Sequence, residues 1–198
     1  FSIHTDSIST FSNKVLDFKK MSPESKKAVV DYTGSGYYLL NTSMRRCPPD
    51  YECIQDSLAE QMEAIESAIE KAPSFPDPVD VYRGISVPKK VAVALLQAAQ
   101  DAETSGSEFT MPSITSTSLN PHISEDFATS YSGNENVFFS MKAKKGLYVE
   151  SESKYKGQEE ILLSGKARYR VVGVADTDVV FSASKTSKMK TIYLEQVV

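Results

Sequence analysis

The sequence predicts an α+β fold in which helices lead and strands follow. Three observations carry this. Up to about residue 72, apolar residues recur at helical spacing. From about residue 79 they alternate as in strands. Pro73, Pro76 and Pro78 separate the two regimes. The break falls inside one domain, because strands with one apolar face need the helices as a cover. The expectation is a single domain over 1–198, with a helical part over about 1–72 and a β-rich part over about 79–198. Its sheets should be mostly antiparallel.

The elements follow in order. Over 6–20, Ile8, Phe11, Val15, Leu16 and Phe18 stand near helical spacing behind a Ser or Asp cap. Ser22-Pro23-Glu24-Ser25 opens a second helix, with serine as cap and proline in the first turn. Gly34 and Gly36 in Tyr32-Thr33-Gly34-Ser35-Gly36 should end it. A third helix runs from Tyr37 to about Arg46 and sets Asn41 and Arg45 one turn apart on one face. Ile54 to Glu70 is the clearest helix, with Leu58, Met62, Ile65 and Ile69 as its apolar stripe. Val79 to Ile85 alternates as a strand, and Val87 to Ala102 forms a connecting helix started by Pro88. Glu108 to Leu119 reads as one strand, and Ser124 to Tyr131 as a helical turn with Phe127 inward. Further strands are expected over Val137–Lys142, Gly146–Val149, Glu160–Leu163, Tyr169–Val174 and Thr191–Val198.

Composition narrows the function classes. The chain has 198 residues, 40% hydrophobic and 24% charged, with a net charge of −4. That is ordinary for a globular domain with a sizeable core. Lys and Arg are scattered and offset by acids, which argues against nucleic acid and against an anionic membrane surface as partners. The longest apolar stretches, such as Val91 to Ala99, are too short to span a bilayer. No signal-peptide pattern is visible. The chain starts at Phe1, which reads as a mature product or an excised domain. His4, His122 and two cysteines leave little for a zinc site or a Ser-His-Asp triad, and the histidines read as surface or capping residues. Cys47 and Cys53 flank a five-residue loop with a double proline. Their spacing is neither a metal nor a redox motif, and it admits a disulfide or two free thiols.

Three strand-borne pieces carry chemistry. In Tyr82-Arg83-Gly84, a guanidinium suits an anionic phosphate, and glycine lets a ligand reach the backbone. In Ser116-Thr117-Ser118, serines can hold a carboxylate and brace a sheet. In Tyr155-Lys156-Gly157-Gln158-Glu159-Glu160, a polar turn feeds the apolar run Ile161-Leu162-Leu163. Strand alternation would put Gln158 and Glu160 on one face and Glu159 on the other. Glu160 can then stabilise developing positive charge while Gln158 orients an acceptor.

In this order and spacing, the pieces resemble the mono-ADP-ribosyltransferase toxins of the arginine, Ser-Thr-Ser, glutamate type. The resemblance runs from about Tyr32 to about Val174. It includes Tyr32-Thr33-Gly34, Tyr38-Leu39-Leu40-Asn41 and Met44-Arg45, similar to the family's helix that carries Asn and Arg to NAD, with Met44 where Leu is usual. It implies N-terminal helices packed on a two-sheet β core, and NAD as co-substrate with no metal. It implies that Arg83 pairs with the NAD phosphates and that Gly84 offers its backbone to the nicotinamide amide. Asn41 and Arg45 would contact phosphate and ribose, Ser116 would hold Glu160, and Phe127 would lie near nicotinamide. Glu160 would bond a nicotinamide-ribose hydroxyl and stabilise the oxocarbenium ion as nicotinamide leaves.

Arginine-specific members carry Glu two residues before the catalytic glutamate, and this chain carries Gln158. The turn is similar to the aromatic-x-Gly-Gln-x-Glu turn of the clostridial exoenzymes that modify Rho GTPases on asparagine. A neutral amide matches an amide acceptor better than a guanidinium. Gln158 would read an Asn or Gln acceptor, and Tyr155 would dock the host protein. The resemblance further implies weak NAD glycohydrolase activity. It implies a secreted bacterial protein acting in the host cytosol as a monomer, within a larger toxin or with a delivery component. The chain departs from those exoenzymes in being acidic and in carrying Cys47 and Cys53. Two alternatives remain: the same fold acting on another target, as in a phage or insect-pathogen transferase, or a non-catalytic NAD-binding module.

Overall fold

The computed structural model describes residues 2–4, 21–47, 50–121, 134–149, 159–182 and 185–197. The helix expected over 6–20, the turn over 124–131 with Phe127, and the stretch from Tyr155 to Gln158 lie outside the described residues.

The helical layer forms first along the chain. Helix α1 (Pro23–Asp31) is capped as the sequence predicts, with Ser22 Oγ accepting from Ser25 N at 3.1 Å. It does not stop at the glycines. Tyr32–Gly36 continues as one π-helical turn and leads directly into α2 (Tyr37–Arg46). Helix α3 (Asp56–Lys71) buries Met62, Ile65, Ala68 and Ile69 and ends before Pro73. The hydroxyl of Ser25 donates to Ala64 O at 2.8 Å, which ties α1 to α3.

Nine strands are found among the described residues: β1 (Ser2–His4), which precedes the helices, and then β2 (Val79–Pro88), β3 (Glu108–Thr110), β4 (Thr115–Ser118), β5 (Asn134–Ala143), β6 (Leu147–Tyr148), β7 (Glu160–Leu163), β8 (Arg168–Ser182) and β9 (Lys185–Val197). Helix α4 (Lys89–Ser105) connects β2 to β3 and ends at Gly106, which takes the left-handed φ of 74°. Six of the eight strand pairings are antiparallel; β1 with β8 and β5 with β9 are parallel. The strands run in the order β1-β8-β9-β5-β2-β4-β7-β6, with β3 also on β8. The link between β2 and β4 is a single pair, Tyr82 opposite Ser118. The strands therefore divide there into a large sheet ending at β2 and a small sheet of β4, β7 and β6.

Side-chain alternation on β7 shows how the layers stack. Ile161 and Leu163 join the core that the large sheet shares with Ala92, Ala99 and Ala102 of α4. Leu162 points the other way, into a second core with Leu40, Met44, Ile65, Leu147 and Val149. The small sheet is thus buried on both faces, between the large sheet and the helices. For that reason β7 runs Ile161-Leu162-Leu163 without alternation, while β4 is Thr-Ser-Thr-Ser and buries hydroxyls instead.

Three further expectations on element bounds change. The strand expected over Glu108–Leu119 is two strands in different sheets. Pro112, which has no N–H for a ladder, lies in the crossing segment between them. The last two strands extend into a long hairpin across a polar run, with Asp176 opposite Lys190. Asp176-Thr177-Asp178 and Lys185-Thr186-Ser187-Lys188 carry no apolar alternation from which to read a strand. Third, Glu159 is not extended: its φ is 47°, and the strand begins at Glu160. The period-two reading that put Gln158 on the face of Glu160 therefore does not run through residue 159.

Cys47 and Cys53 are joined as a disulfide, with Cα atoms 5.6 Å apart, just past the end of α2. Within this loop Tyr51 is buried, and its hydroxyl donates to Gly165 O at 2.5 Å. Gly165 is closely packed: a Cβ would displace Met44 Cε, 2.5 Å away, and would crowd the Ser113 carbonyl carbon at 3.1 Å. The bridge thus holds the turn after β7 against α2. Replacing both cysteines with serine should lower the unfolding free energy by about 2 kcal/mol, the scale of closing so short a loop. Urea denaturation of the two proteins measures this, and coincident curves would contradict it.

Candidate active site

Arg83 extends an inward row on β2 that begins Val79, Val81 and resumes at Ile85 and Val87. Alternation alone would place an apolar residue there. The guanidinium instead lies at the joint between the sheets and donates from Nη1 to Ser116 O at 2.8 Å. Burial holds its pKa below the usual arginine value; nearby Glu160 favours the charged form and Arg45 opposes it.

On the small sheet, Ser118 stands opposite Glu160 and Ser116 opposite Leu162. Ser116 and Glu160 are therefore diagonal neighbours on the face toward the helices. The Ser116 hydroxyl donates to Glu160 Oε2. Glu160 is only 7% exposed, and its backbone is fixed by Val149 N donating to Glu160 O at 3.0 Å. The turn before it is held by Leu119 N donating to Glu159 O at 3.1 Å. A left-handed glutamate carries strain, which this bond helps to maintain.

The helical layer supplies the opposite wall. The π-turn buries Tyr32, Thr33 and Gly34, and α2 presents Asn41 and Arg45. Asn41 is buried, and its Nδ2 donates to Tyr32 Oη at 2.9 Å. Tyr32 in turn donates to Ile114 O at 3.1 Å, joining the helices to the start of β4. Arg45 is exposed, with Nη2 3.4 Å from Thr42 Oγ1.

These residues meet in one cleft of about 870 Å³, within the range of small-molecule sites. Arg83, Gly84, Ser116, Glu160, Asn41 and Arg45 all line it. Phe127, Tyr155 and Gln158 lie outside the described residues. The sequence reading assigned no role to Tyr32, which stands where the helical and β walls join; its place in Tyr32-Thr33-Gly34, ahead of Asn41, was the available signal. Beyond Gly84 the cleft is apolar, lined by Ile85, Val91, Leu95 and Phe109.

The donor set suits a dinucleotide. Two guanidiniums against one carboxylate give this wall a net positive charge on a chain whose total is −4. That favours a pyrophosphate. Asn41 Oδ1 is a buried acceptor with no hydrogen bond, so a ligand donor can satisfy it. Among the described residues, no cluster of three or more His, Cys, Asp or Glu is placed to hold a metal ion, and no helix is long and apolar enough to cross a membrane.

Comparison with known proteins places the fold and the family. Residues 9–198 match the family model described as ADP-ribosyltransferase exoenzyme. No curated protein sequence matches. Among solved structures, Exoenzyme S from Pseudomonas aeruginosa, in complex with human 14-3-3 protein beta and Carba-NAD, superposes with a TM-score of 0.66 at 21% identity, covering 89% of this chain and 75% of that one. The Clostridium limosum C3 exoenzyme gives a TM-score of 0.66 at 18% identity over 90% and 87% of the two chains. The Vis toxin of Vibrio splendidus gives 0.62 at 21% over 91% and 76%. At these identities the structures speak for a shared fold, and the family model supplies the chemistry. The chain belongs to the ADP-ribosyltransferase exoenzyme family, which uses NAD as the donor of ADP-ribose.

Proposed function

We propose that this protein transfers ADP-ribose from NAD to an Asn or Gln side chain of a host protein, a Rho-type GTPase, and hydrolyses NAD slowly when no acceptor is present. The observation that carries the catalytic part is the Ser116–Glu160 pair. It fixes a carboxylate in the wall of a cleft whose other charged groups are guanidiniums.

In the reaction, the bond from ribose to nicotinamide breaks with its electron pair on nicotinamide. The acceptor nitrogen then bonds the same carbon and gives up a proton. Glu160 favours this by lying where positive charge develops, and Ser116 keeps it in place, so little reorganisation is needed. Arg83 and Arg45 hold the pyrophosphate. Gly84 offers backbone beside the ring, and the family resemblance assigns Phe127 to the nicotinamide end. Gln158 presents an amide to the acceptor, and Tyr155 docks the acceptor protein.

The amide preference rests on Gln158 standing where arginine-modifying relatives carry Glu, and the GTPase on the whole Tyr155-to-Glu160 turn. We further propose that the protein acts as a monomer, secreted by a bacterium and delivered to a host cytosol.

Glu160→Gln should lower both protein labelling and nicotinamide release by ~100-fold or more, the scale of losing one preorganised electrostatic group. Radiolabelled-NAD assays on the folded variant measure this; normal turnover would remove Glu160 from the chemistry.

Arg83→Lys should weaken NAD binding roughly tenfold, because an ammonium lacks the planar fork for phosphate. Titration calorimetry reads the change, with the thermal midpoint checking the joint that Arg83 also braces. Unchanged affinity would take Arg83 off the phosphate.

Gln158→Ala and Tyr155→Ala should largely abolish transfer to protein while leaving NAD hydrolysis near wild type. If the two rates fall in parallel, these residues shape the turn and do not read the acceptor.

A further inference from the structure

The contacts around Tyr32 fix which end of the Asn41 amide remains without a partner. Tyr32 is 1% exposed, and its hydroxyl lies 3.1 Å from Ile114 O. A carbonyl oxygen only accepts, so the single phenolic proton of Tyr32 is committed there. The Tyr32 oxygen is then an acceptor toward Asn41, whose amide lies 2.9 Å away. Only the NH2 group can donate to it. The amide orientation therefore follows from donor counting, not from the placement of indistinguishable atoms. Burial pushes the Tyr32 phenol up to about 12, so the proton stays in place throughout the physiological range. With the NH2 so occupied, Asn41 Oδ1 is left as a buried acceptor without a hydrogen bond, in a side chain that lines the cleft. Buried acceptors in this state are rare and unfavourable, and a bound donor would relieve the cost.

We infer that Tyr32 is a positioning residue that locks the Asn41 amide, so that Asn41 Oδ1 accepts a hydrogen bond from an O–H or N–H group of the bound dinucleotide. This deepens the reading of the cleft as the NAD site and rests on it. It divides the work of α2. An ionised phosphate carries no proton to give and cannot satisfy Oδ1, so the pyrophosphate belongs to the guanidiniums. Asn41 takes a ribose hydroxyl, the adenine amino group or the carboxamide.

The test is equilibrium binding of NAD, read by calorimetry, for wild type, Tyr32→Phe, Asn41→Ala and the double variant. Tyr32→Phe should weaken NAD about 5- to 10-fold, the scale of one neutral hydrogen bond, and should add nothing once Asn41 is alanine. An equal loss in both backgrounds would mean that Tyr32 merely supports the wall, and would overturn the inference. Three sets of analogues identify the donor: NAD lacking one ribose hydroxyl, NAD with hypoxanthine in place of adenine, and NAD with nicotinic acid in place of nicotinamide. Wild type should discriminate against one of them. Asn41→Ala should lose that discrimination. This arm needs no Tyr32 variant to fold. Identical discrimination by wild type and Asn41→Ala would also overturn the proposal. Failure of wild type to bind NAD at all would remove the NAD reading and this inference together; binding by wild type with additive losses would remove this inference alone.

Discussion

The half-buried guanidinium of Arg83 is the constraint on which the rest of the structure depends. It stands in an inward row of β2 that is otherwise apolar, and withdrawing a charge from water is unfavourable unless it is compensated. Compensation comes from Ser116 O at 2.8 Å and from Glu160 nearby. Both partners lie on the small sheet. The large sheet meets that sheet through one backbone pair, Tyr82 with Ser118, so the arginine is a second tie across a narrow joint. A fully paired junction would have closed the space where the cleft lies. The polar groups to which we assign the chemistry are thus also groups that tie the two sheets together.

The helical layer completes the same arrangement from the other side. A regular α-helix through Tyr32–Gly36 would change the phase of everything after it. The π-turn inserts its wider step there, as such turns often do beside functional sites. Tyr32 then reaches Ile114 O, just before β4. One hydrogen-bonded chain therefore runs from α2 through Asn41 and Tyr32 into the strand that carries Ser116. At the other end of α2, the disulfide loop sends Tyr51 to Gly165 beyond β7. Both ends of α2 are tied to the small sheet, which keeps the two walls of the cleft in register.

Much of this was legible because local and global preferences agree. Ser22 and Pro23 cap α1 as their chemistry requires, and the stripe on α3 is apolar because it covers a core. Arg83 was visible as a guanidinium beside glycine on a strand, Ser116 as one of the hydroxyls of a Ser-Thr-Ser strand, and Glu160 as a carboxylate opening an apolar run. Where the reading failed, tertiary contacts override local pattern. Gly34 and Gly36 resemble a helix stop, yet burial of Tyr32, Thr33 and Gly34 keeps the chain helical. Pro112 divides one strand-like run between two sheets. Glu159 takes a left-handed turn that a simple alternation cannot express. Each of these exceptions lies beside the cleft, where geometry serves the ligand more than the backbone's own preference.

The central claim is that the joint between the two sheets is the site of NAD. A crystal structure of the protein with a hydrolysis-resistant NAD analogue tests it most directly. The pyrophosphate should lie against Arg83 and Arg45, with the nicotinamide ribose within hydrogen-bond reach of Glu160. A dinucleotide bound elsewhere, or in this cleft with its phosphates turned away from both guanidiniums, would contradict it.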